Sequence, residues 1–115
     1  MFINKKYYIY KKEEFNQLLT YESNRSDISG NEFSLVVIPT DKIYKNKLFF
    51  KFLSQNKRSI DTIGYLNNNS IGIILPSTPH EKAQSFVNNL KTNHKYNLFF
   101  DGPLDILTYQ INDFH

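Results

Sequence analysis

Two short apolar segments, 62–66 and 70–75, are separated by only three asparagines, Asn67, Asn68 and Asn69. Both segments carry β-branched isoleucines, which favour strands. Asparagine tolerates positive φ angles, so the three asparagines predict the tight turn of an antiparallel hairpin. Any fold for this chain must therefore place a hairpin over 62–75 in the middle of a sheet.

Further strands are predicted on both sides of this hairpin. The segment 34–38 is continuously apolar after its first residue and is ended by Pro39, which is typical of a strand buried on both faces. Apolar and polar residues alternate over 107–111, as in a half-buried strand. An aromatic, β-prone segment over 2–10 predicts one more short strand.

Two helices are predicted before the hairpin, from apolar residues at helical spacing. The first covers 12–24 and is followed by a loop over 26–31, which is rich in Ser, Asp and Gly. The second covers about 42–54, with Asp41 as its cap. Its aromatic residues fall on more than one side, so it either packs on two sides or exposes aromatic surface to a partner.

The helix after the hairpin has the clearest start signal in the chain. Thr78 and Glu81 lie three residues apart around Pro79, an arrangement typical of a capping box with proline at the first helical position. Thr78 is therefore predicted to accept the amide of Glu81. One apolar stripe follows on this helix, formed by Ala83, Phe86, Val87 and Leu90.

The order helix, strand, helix, hairpin, helix, strand predicts an α/β (α+β) fold. It is a two-layer, ferredoxin-like βαββαβ sandwich with helices on one face of an antiparallel sheet. The strands at 34–38 and 70–75 are the most continuously apolar and are expected in the sheet interior. The 115 residues predict a single domain, 1–115, with its core at about 33–111 and an N-terminal helix over 12–24.

Composition excludes several kinds of site. The chain has no Cys, and its three His, at 80, 94 and 115, lack the spacing of metal ligands, so no cofactor is expected. A net charge of +3 is too small for a dedicated DNA or RNA binder. No apolar run approaches the ~20 residues of a membrane span, and the start lacks a signal peptide. A cytoplasmic protein without membrane insertion is expected.

The segment 58–76 carries a motif with fixed spacing. It reads Arg-x-x-Asp, five residues, the stretch Asn67, Asn68, Asn69, Ser70, Ile71, then an apolar strand ending in Leu-Pro. This pattern resembles the central hairpin of GGDEF domains, the diguanylate cyclase family, with the five named residues at the signature positions. The likeness covers about 12–111 and implies a nucleotide-cyclase-like fold.

Other residues are similar to a compact subgroup of this family. They are Glu22, Arg25, and the segments 33–35 and 63–66. Such compact domains are found in bacterial operons for exopolysaccharide and sugar-transferase functions. The resemblance thus implies a role in signalling or in exopolysaccharide biosynthesis.

The same resemblance implies that catalysis is lost. In active members two glycines let the hairpin approach the nucleotide phosphates, and acidic residues hold Mg²⁺. Here Asn67 and Asn68 carry side chains, and Ile71 cannot bind a metal. Pro39 stands where the first metal-binding Asp is expected, and Asp41 is the one acid left nearby. Between Asp41 and Arg58 there is room for one helix where the family has two. The chain is therefore predicted not to be an enzyme.

Arg58 and Asp61 match the inhibitory site at which the family binds cyclic di-GMP. Arginine suits phosphate and guanine edges, and aspartate can accept from guanine N–H groups. From the residues alone, a purely structural ion pair is the simpler interpretation. The resulting hypothesis is an inactive regulatory or scaffold module that binds cyclic di-GMP and an unidentified protein partner.

Two alternatives stay open. One is a protein–protein interaction domain that uses the aromatic helix over 43–53 and no nucleotide. The other is an enzyme of unrecognised chemistry on the same fold. A basic face is a further feature to weigh against an ordinary solvated surface; its members are Lys42, Lys45, Lys47, Lys51, Lys57 and Arg58.

Overall fold

The computed structural model describes residues 8–44, 46–93, 95–100, 102 and 104–109. The strands are β1 (Ile9–Tyr10), β2 (Phe33–Pro39), β3 (Thr62–Asn67), β4 (Ser70–Leu75) and β5 (Asp105–Tyr109). The helices are α1 (Lys12–Ser29), α2 (Asn46–Asn56), α3 (His80–Thr92) and α4 (Tyr96–Phe99), with a 3-10 turn at Thr40–Lys42.

The strands form one mixed sheet in the order β1-β3-β4-β2-β5. The β3–β4 hairpin is antiparallel, as are the β2–β4 and β2–β5 pairs, whereas β1 runs parallel to β3. Ile73 of β4 pairs with Ile63 on one side and with Val36 on the other. The predicted hairpin and the interior positions of β2 and β4 are thus confirmed, as is the predicted fold class.

Side chains of the central strands alternate between two faces of the sheet, as the pleat requires. On β4, Ile71, Ile73 and Leu75 face a core that α2, α3 and α4 complete. Ile74 faces a second, smaller core beneath α1. Helices α2, α3 and α4 therefore cover one face of the sheet. Helix α1, which the sequence pattern assigned to neither face, covers part of the other face.

The second core depends on two glycines opposite each other in the hairpin. Gly64 and Gly72 are paired in the β3–β4 register, and the Phe15 ring of α1 lies over both. A Cβ on Gly72 would approach the ring to 2.9 Å, and one on Gly64 would come closer still. Phe15 is fully buried as a result. Because neither glycine has a side chain, the Phe15 ring can pack directly on the hairpin and anchor α1 there.

Helix α1 ends later than predicted, so the loop predicted over 26–31 is wrong for its first four residues. The Ser26 hydroxyl donates to the Asn31 carbonyl, and Gly30 takes a left-handed φ of 80° while its amide donates to the Ser26 carbonyl. Glycine favours this conformation at a helix end. Ser26, Asp27 and Ser29 therefore lie in the last turn of α1, and the helix ends at Gly30.

Helix α2 begins later than predicted, and Asp41 does not cap it. Asp41 lies in the 3-10 turn, after which Tyr44 donates its amide to the Phe99 carbonyl and Ile43 bridges to Phe100. This pairing holds the chain extended where the helix was expected to start. A single α-helix does lie between Asp41 and Arg58, in line with the space available.

The aromatic residues of α2 pack against the larger core. Phe49 and Phe52 are buried and stack with each other, with ring centroids 6.3 Å apart. Phe50 is half-buried and meets the Tyr65 ring edge-on at 6.2 Å. Phe50 packs against the same larger core, so the two-sided packing considered for this helix is not observed. Tyr44, within the predicted helix segment, is 59% exposed.

The hairpin turn forms without the positive φ angles expected of asparagine. Among the described residues, Ser77 is the one non-glycine residue with a positive φ. Instead the strands shift register between Tyr65 and Asn67, and the Asn67 carboxamide accepts from the Asn69 amide at 2.8 Å. The side chain of Asn67 therefore closes the turn that backbone geometry was expected to close.

The last strand starts earlier than predicted, and Leu107 is not buried as the alternation predicted. Strand β5 begins at Asp105, two residues before the predicted strand, and Ile106 packs on the larger core. Leu107, predicted to face inward, is 59% exposed because α1 covers only part of its face. Edge strands are covered on fewer sides, so alternation alone does not decide which residues are buried.

Several predictions lie outside the described residues. They are the part of the first strand before residue 8, the part of the last strand after residue 109, and the side chains of Lys45, His94 and His115. The extent of the domain over 1–115 likewise stays a prediction. No helix in the described part of the chain is long and apolar enough to cross a membrane.

We expect Gly72→Ala to lower the free energy of unfolding by about 1–3 kcal/mol, because the new methyl group must displace the buried Phe15 ring. Urea denaturation measures this loss. Phe15→Leu frees space above the glycine, so the double variant should lose less stability than the two single losses added together. Strict additivity would show that the ring and the glycine are not in contact.

Candidate functional site

Arg58 and Asp61 form a closed turn between α2 and β3. The Asp61 carboxylate accepts the Arg58 amide at 2.9 Å, Nε at 3.0 Å and Nη2 at 2.8 Å. The Arg58 carbonyl accepts the Asp61 amide at 3.1 Å in return. The Asp61 side chain is completely buried, whereas half of the Arg58 side chain is exposed. One residue of the pair thus faces the protein and the other faces solvent.

The same guanidinium reaches the turn that follows β4. Nη2 of Arg58 donates to the Thr78 hydroxyl at 2.8 Å and to the Pro76 carbonyl at 3.2 Å. Thr78 also donates to the Pro76 carbonyl at 2.8 Å, and its own carbonyl accepts the Ser34 hydroxyl at 2.7 Å. Arg58 is therefore fixed by residues from two separate turns, and one of these turns is held against β2.

This network overturns the predicted capping box. Helix α3 begins at His80, and its cap residue Pro79 has no side-chain hydrogen bond to the helix. The Thr78 hydroxyl, predicted to cap the helix, instead bonds to Arg58 and Pro76. A local pattern was correct about where a helix starts and wrong about what the threonine does.

The exposed side of Arg58 opens onto a groove of about 430 Å³. Nη1 of Arg58 has no hydrogen-bond partner among the described residues. Helix α3 forms the opposite wall with Lys82, Ser85 and Asn89, which lie three and four residues apart and so share one helix face. Phe86 and Leu75 supply apolar surface. The groove thus combines two positive charges with several hydrogen-bond donors.

The wall formed by α3 was missed by the sequence analysis. Lys82, Ser85 and Asn89 are exposed polar residues on a helix whose opposite stripe is apolar, so each of them resembles an ordinary solvated residue. Their relation to Arg58 depends on how α3 packs beside the end of β4. The helical spacing of Lys82, Ser85 and Asn89 is visible in the sequence, but their position opposite Arg58 is not.

The residues at the signature positions bond to one another and to neighbouring elements. Asn67 accepts the Ser70 hydroxyl at 3.0 Å in addition to the Asn69 amide, and the Asn69 carbonyl accepts the Thr40 amide at 3.0 Å. Asn68 accepts Lys12 Nζ at 3.4 Å. Ile71 is fully buried in the larger core.

The structure also describes Pro39 and Asp41, the two residues upstream of the hairpin that the resemblance singled out. Pro39 pairs with Ser70 at the end of β2, and Asp41 is exposed in the 3-10 turn. Within the described part of the chain, no three His, Cys, Asp or Glu residues are grouped closely enough to hold a metal ion.

The predicted basic face is not continuous. Lys57 is buried, and its Nζ donates to the Arg58 carbonyl at 3.1 Å. Lys42, Lys47 and Lys51 are exposed. Among the predicted cations, Arg58 is the one that lines the groove, which it shares with Lys82. His80 is exposed and lies 3.4 Å from the Thr108 hydroxyl.

Comparison with known proteins agrees with this fold. No family model and no curated protein matches the sequence. The chain is similar to the crystal structure of a DGC protein from Thermotoga maritima, with a TM-score of 0.66 and 19% sequence identity. The match covers 92% of this chain and 82% of the other. A match at this identity shows a shared fold, and the chain therefore has a GGDEF-like, DGC-like fold.

We expect Arg58→Ala to lower the free energy of unfolding by about 3 kcal/mol, because it leaves the buried Asp61 carboxylate without its partner. Chemical denaturation measures the loss. Lys82→Ala, in the same groove but exposed, is the matched control and should change stability by less than about 0.5 kcal/mol. Equal effects of the two variants would mean that the buried pair contributes little to folding.

Proposed function

We propose that this domain is a non-catalytic, GGDEF-like regulatory module that binds cyclic di-GMP in the groove at Arg58. The observation that carries this proposal is the state of the Arg58 guanidinium. Asp61, Thr78 and Pro76 hold it in one orientation, yet Nη1 has no partner in the described structure and half of the side chain faces the groove. A fixed, partly exposed arginine is suited to a phosphate or a guanine edge.

The groove supports an anionic ligand larger than a single phosphate. Lys82 adds a second positive charge, and Ser85 and Asn89 add neutral hydrogen-bonding groups beside it. Phe86 offers apolar surface to a base. Because the Arg58 fork is already ordered by its protein partners, less side-chain entropy is lost when a ligand binds.

Asp61 has a positioning role in this proposal. Its carboxylate is fully buried and already accepts three donors of Arg58, so it orients the guanidinium from behind. The ligand is therefore read by Arg58, and the contact between Asp61 and guanine suggested by the family resemblance is not required.

The proposed lack of catalysis is supported by the chemistry of the hairpin. Asn67 is engaged in closing the turn, and Ile71 is a buried core residue. Neither can bind a divalent ion in these roles, and Pro39 offers no carboxylate. The domain is thus proposed to act as a receptor or scaffold in signalling or exopolysaccharide biosynthesis.

The alternatives have less support. The aromatic helix expected to bind a protein partner keeps Phe49, Phe52 and Leu53 buried, which leaves Tyr44 and Leu48 as the large exposed apolar residues of 43–53. For an enzyme of unrecognised chemistry, the ionisable residues that line the groove are Arg58 and Lys82. The described lining of the groove includes no carboxylate or imidazole, the usual general bases.

We expect calorimetric titration to detect cyclic di-GMP binding to the wild type at about 100 μM ligand. Arg58→Lys keeps the charge but loses the planar fork, and it should weaken binding about tenfold or more. Lys82→Ala should weaken it less, and Lys51→Ala, which removes a lysine outside the groove, should have no effect. A flat wild-type titration would leave Arg58 and Asp61 as a structural pair only.

A cyclase assay tests the other half of the proposal. Purified protein with GTP and either Mg²⁺ or Mn²⁺ should form no cyclic di-GMP, because the hairpin supplies neither a phosphate cradle nor metal-binding carboxylates. Chromatographic analysis against a no-enzyme control measures this. Metal-dependent product would place the active site elsewhere in the molecule.

A further inference from the structure

A second cavity lies between α2 and the edge strand β1. It has a volume of about 410 Å³ and is lined by Ile9 of β1 and by four residues of α2. Those four fall at the i, i+3, i+4 and i+7 positions of one helix face, and they are Lys47, Phe50, Lys51 and Ser54. None of the described residues that line the groove at Arg58 lines this cavity. The cavity is therefore a separate feature of the molecule.

Ser54 is the buried polar residue of this cavity. It is 1% exposed, and its hydroxyl has no hydrogen-bond partner among the described residues. A serine within a helix can donate to the carbonyl four residues before it, as Ser23 of α1 does to Leu19 at 3.0 Å. Ser54 makes no such bond to Phe50. A buried hydroxyl without a partner costs stability, so a ligand that supplies one gains from binding there.

Two lysines line the same cavity. Lys47 and Lys51 lie one helical turn apart, are exposed, and form no ion pair with any described residue. Lys51 also lies three residues before Ser54, so its ammonium group and the hydroxyl can reach one ligand group. Both donate hydrogen bonds, and a carboxylate accepts them. The desolvation cost of an anion rises with its charge, so a carboxylate suits a buried hydroxyl better than a phosphate dianion does.

Ile9 and Phe50 supply the apolar walls. Each is half-buried, packs on the larger core and also lines the cavity. The Phe50 ring meets the Tyr65 ring edge-on at 6.2 Å, which orients it. An oriented aromatic ring is suited to contact with a second ring. A rigid ring also loses less conformational freedom on binding than an alkyl chain does. The walls therefore favour a planar aromatic body.

We propose that this cavity is a binding site for a small planar aryl carboxylate. The ring lies between the two apolar walls, and the carboxylate accepts from the Ser54 hydroxyl and from the Lys51 ammonium group. Lys47 adds a second positive charge at the same cavity. The site is independent of the function proposed for the groove at Arg58, because no described residue lines both.

A chemical-shift titration of the ¹⁵N-labelled protein with 2-naphthoate tests this site. The probe should shift the amides of Ile9, Phe50 and Ser54 and leave those of Ser85 and Asn89 in place. 2-Naphthamide has the same ring without the charge and should bind at least about tenfold more weakly. Decanoate carries the same charge on a flexible chain and should also bind more weakly. No binding of 2-naphthoate, equal binding of the amide, or tighter binding of decanoate would each overturn the proposal.

Variants identify the groups that bind the carboxylate. Ser54→Ala removes a hydroxyl without a partner, so it should fold with unchanged or higher stability and should bind 2-naphthoate about tenfold more weakly. Lys51→Met keeps the apolar stem of the side chain without its charge and should weaken binding by a similar factor. Lys91→Met removes an exposed lysine of α3 and is the matched control without effect. Unchanged affinity in both Ser54→Ala and Lys51→Met would contradict the assignment.

Two other occupants of the cavity or of the probe's site are outcomes of the same titration. If 2-naphthoate binds in the groove at Arg58 instead, Arg58→Lys should weaken its binding and Ser54→Ala should not. If a second copy of the chain covers the cavity, the amides of Ile9 and Phe50 should shift on dilution of the protein without any probe. Either result would overturn the proposed site.

Discussion

The buried carboxylate of Asp61 is the interaction on which the arrangement of the site depends. It collects three donors of Arg58 inside the protein, so the guanidinium cannot rotate freely. Through Nη2 the same guanidinium holds Thr78 and Pro76, the residues that lead from β4 into α3. One ion pair thus links the turn before β3 to the turn between β4 and α3, at one wall of the groove.

The second face of the sheet follows from a different constraint. Phe15 can pack against β3 and β4 because Gly64 and Gly72 face each other beneath it. That contact fixes the N-terminal part of α1 close to the sheet, so Glu22, two turns further along, is buried. Leu18 and Ile74 belong to the same smaller core and continue the contact between the helix and the sheet.

Local sequence patterns predicted those elements whose causes are local. The hairpin over 62–75 and the interior strand β2 are apolar runs bounded by turn residues, and both are confirmed. The capping roles predicted for Thr78 and Asp41 were wrong because residues distant in sequence determine the local structure. Arg58 bonds to Thr78, and Phe99 and Phe100 hold the chain extended after Asp41. The motif located Arg58 and Asp61, but the α3 wall of the groove required tertiary packing. That packing brings residues about 25–30 positions apart along the chain to one groove.

The Arg-x-x-Asp motif is compatible both with a ligand site and with a structural pair. Removing Arg58 would leave the buried Asp61 carboxylate without its partner, so a folding requirement alone accounts for both residues. The features that folding does not require are the ones that point to a ligand. Here they are the unpaired side of Arg58 and the exposed charge of Lys82 across the groove. Neither contributes to the core, and burying both against an anion would satisfy donors that now face solvent.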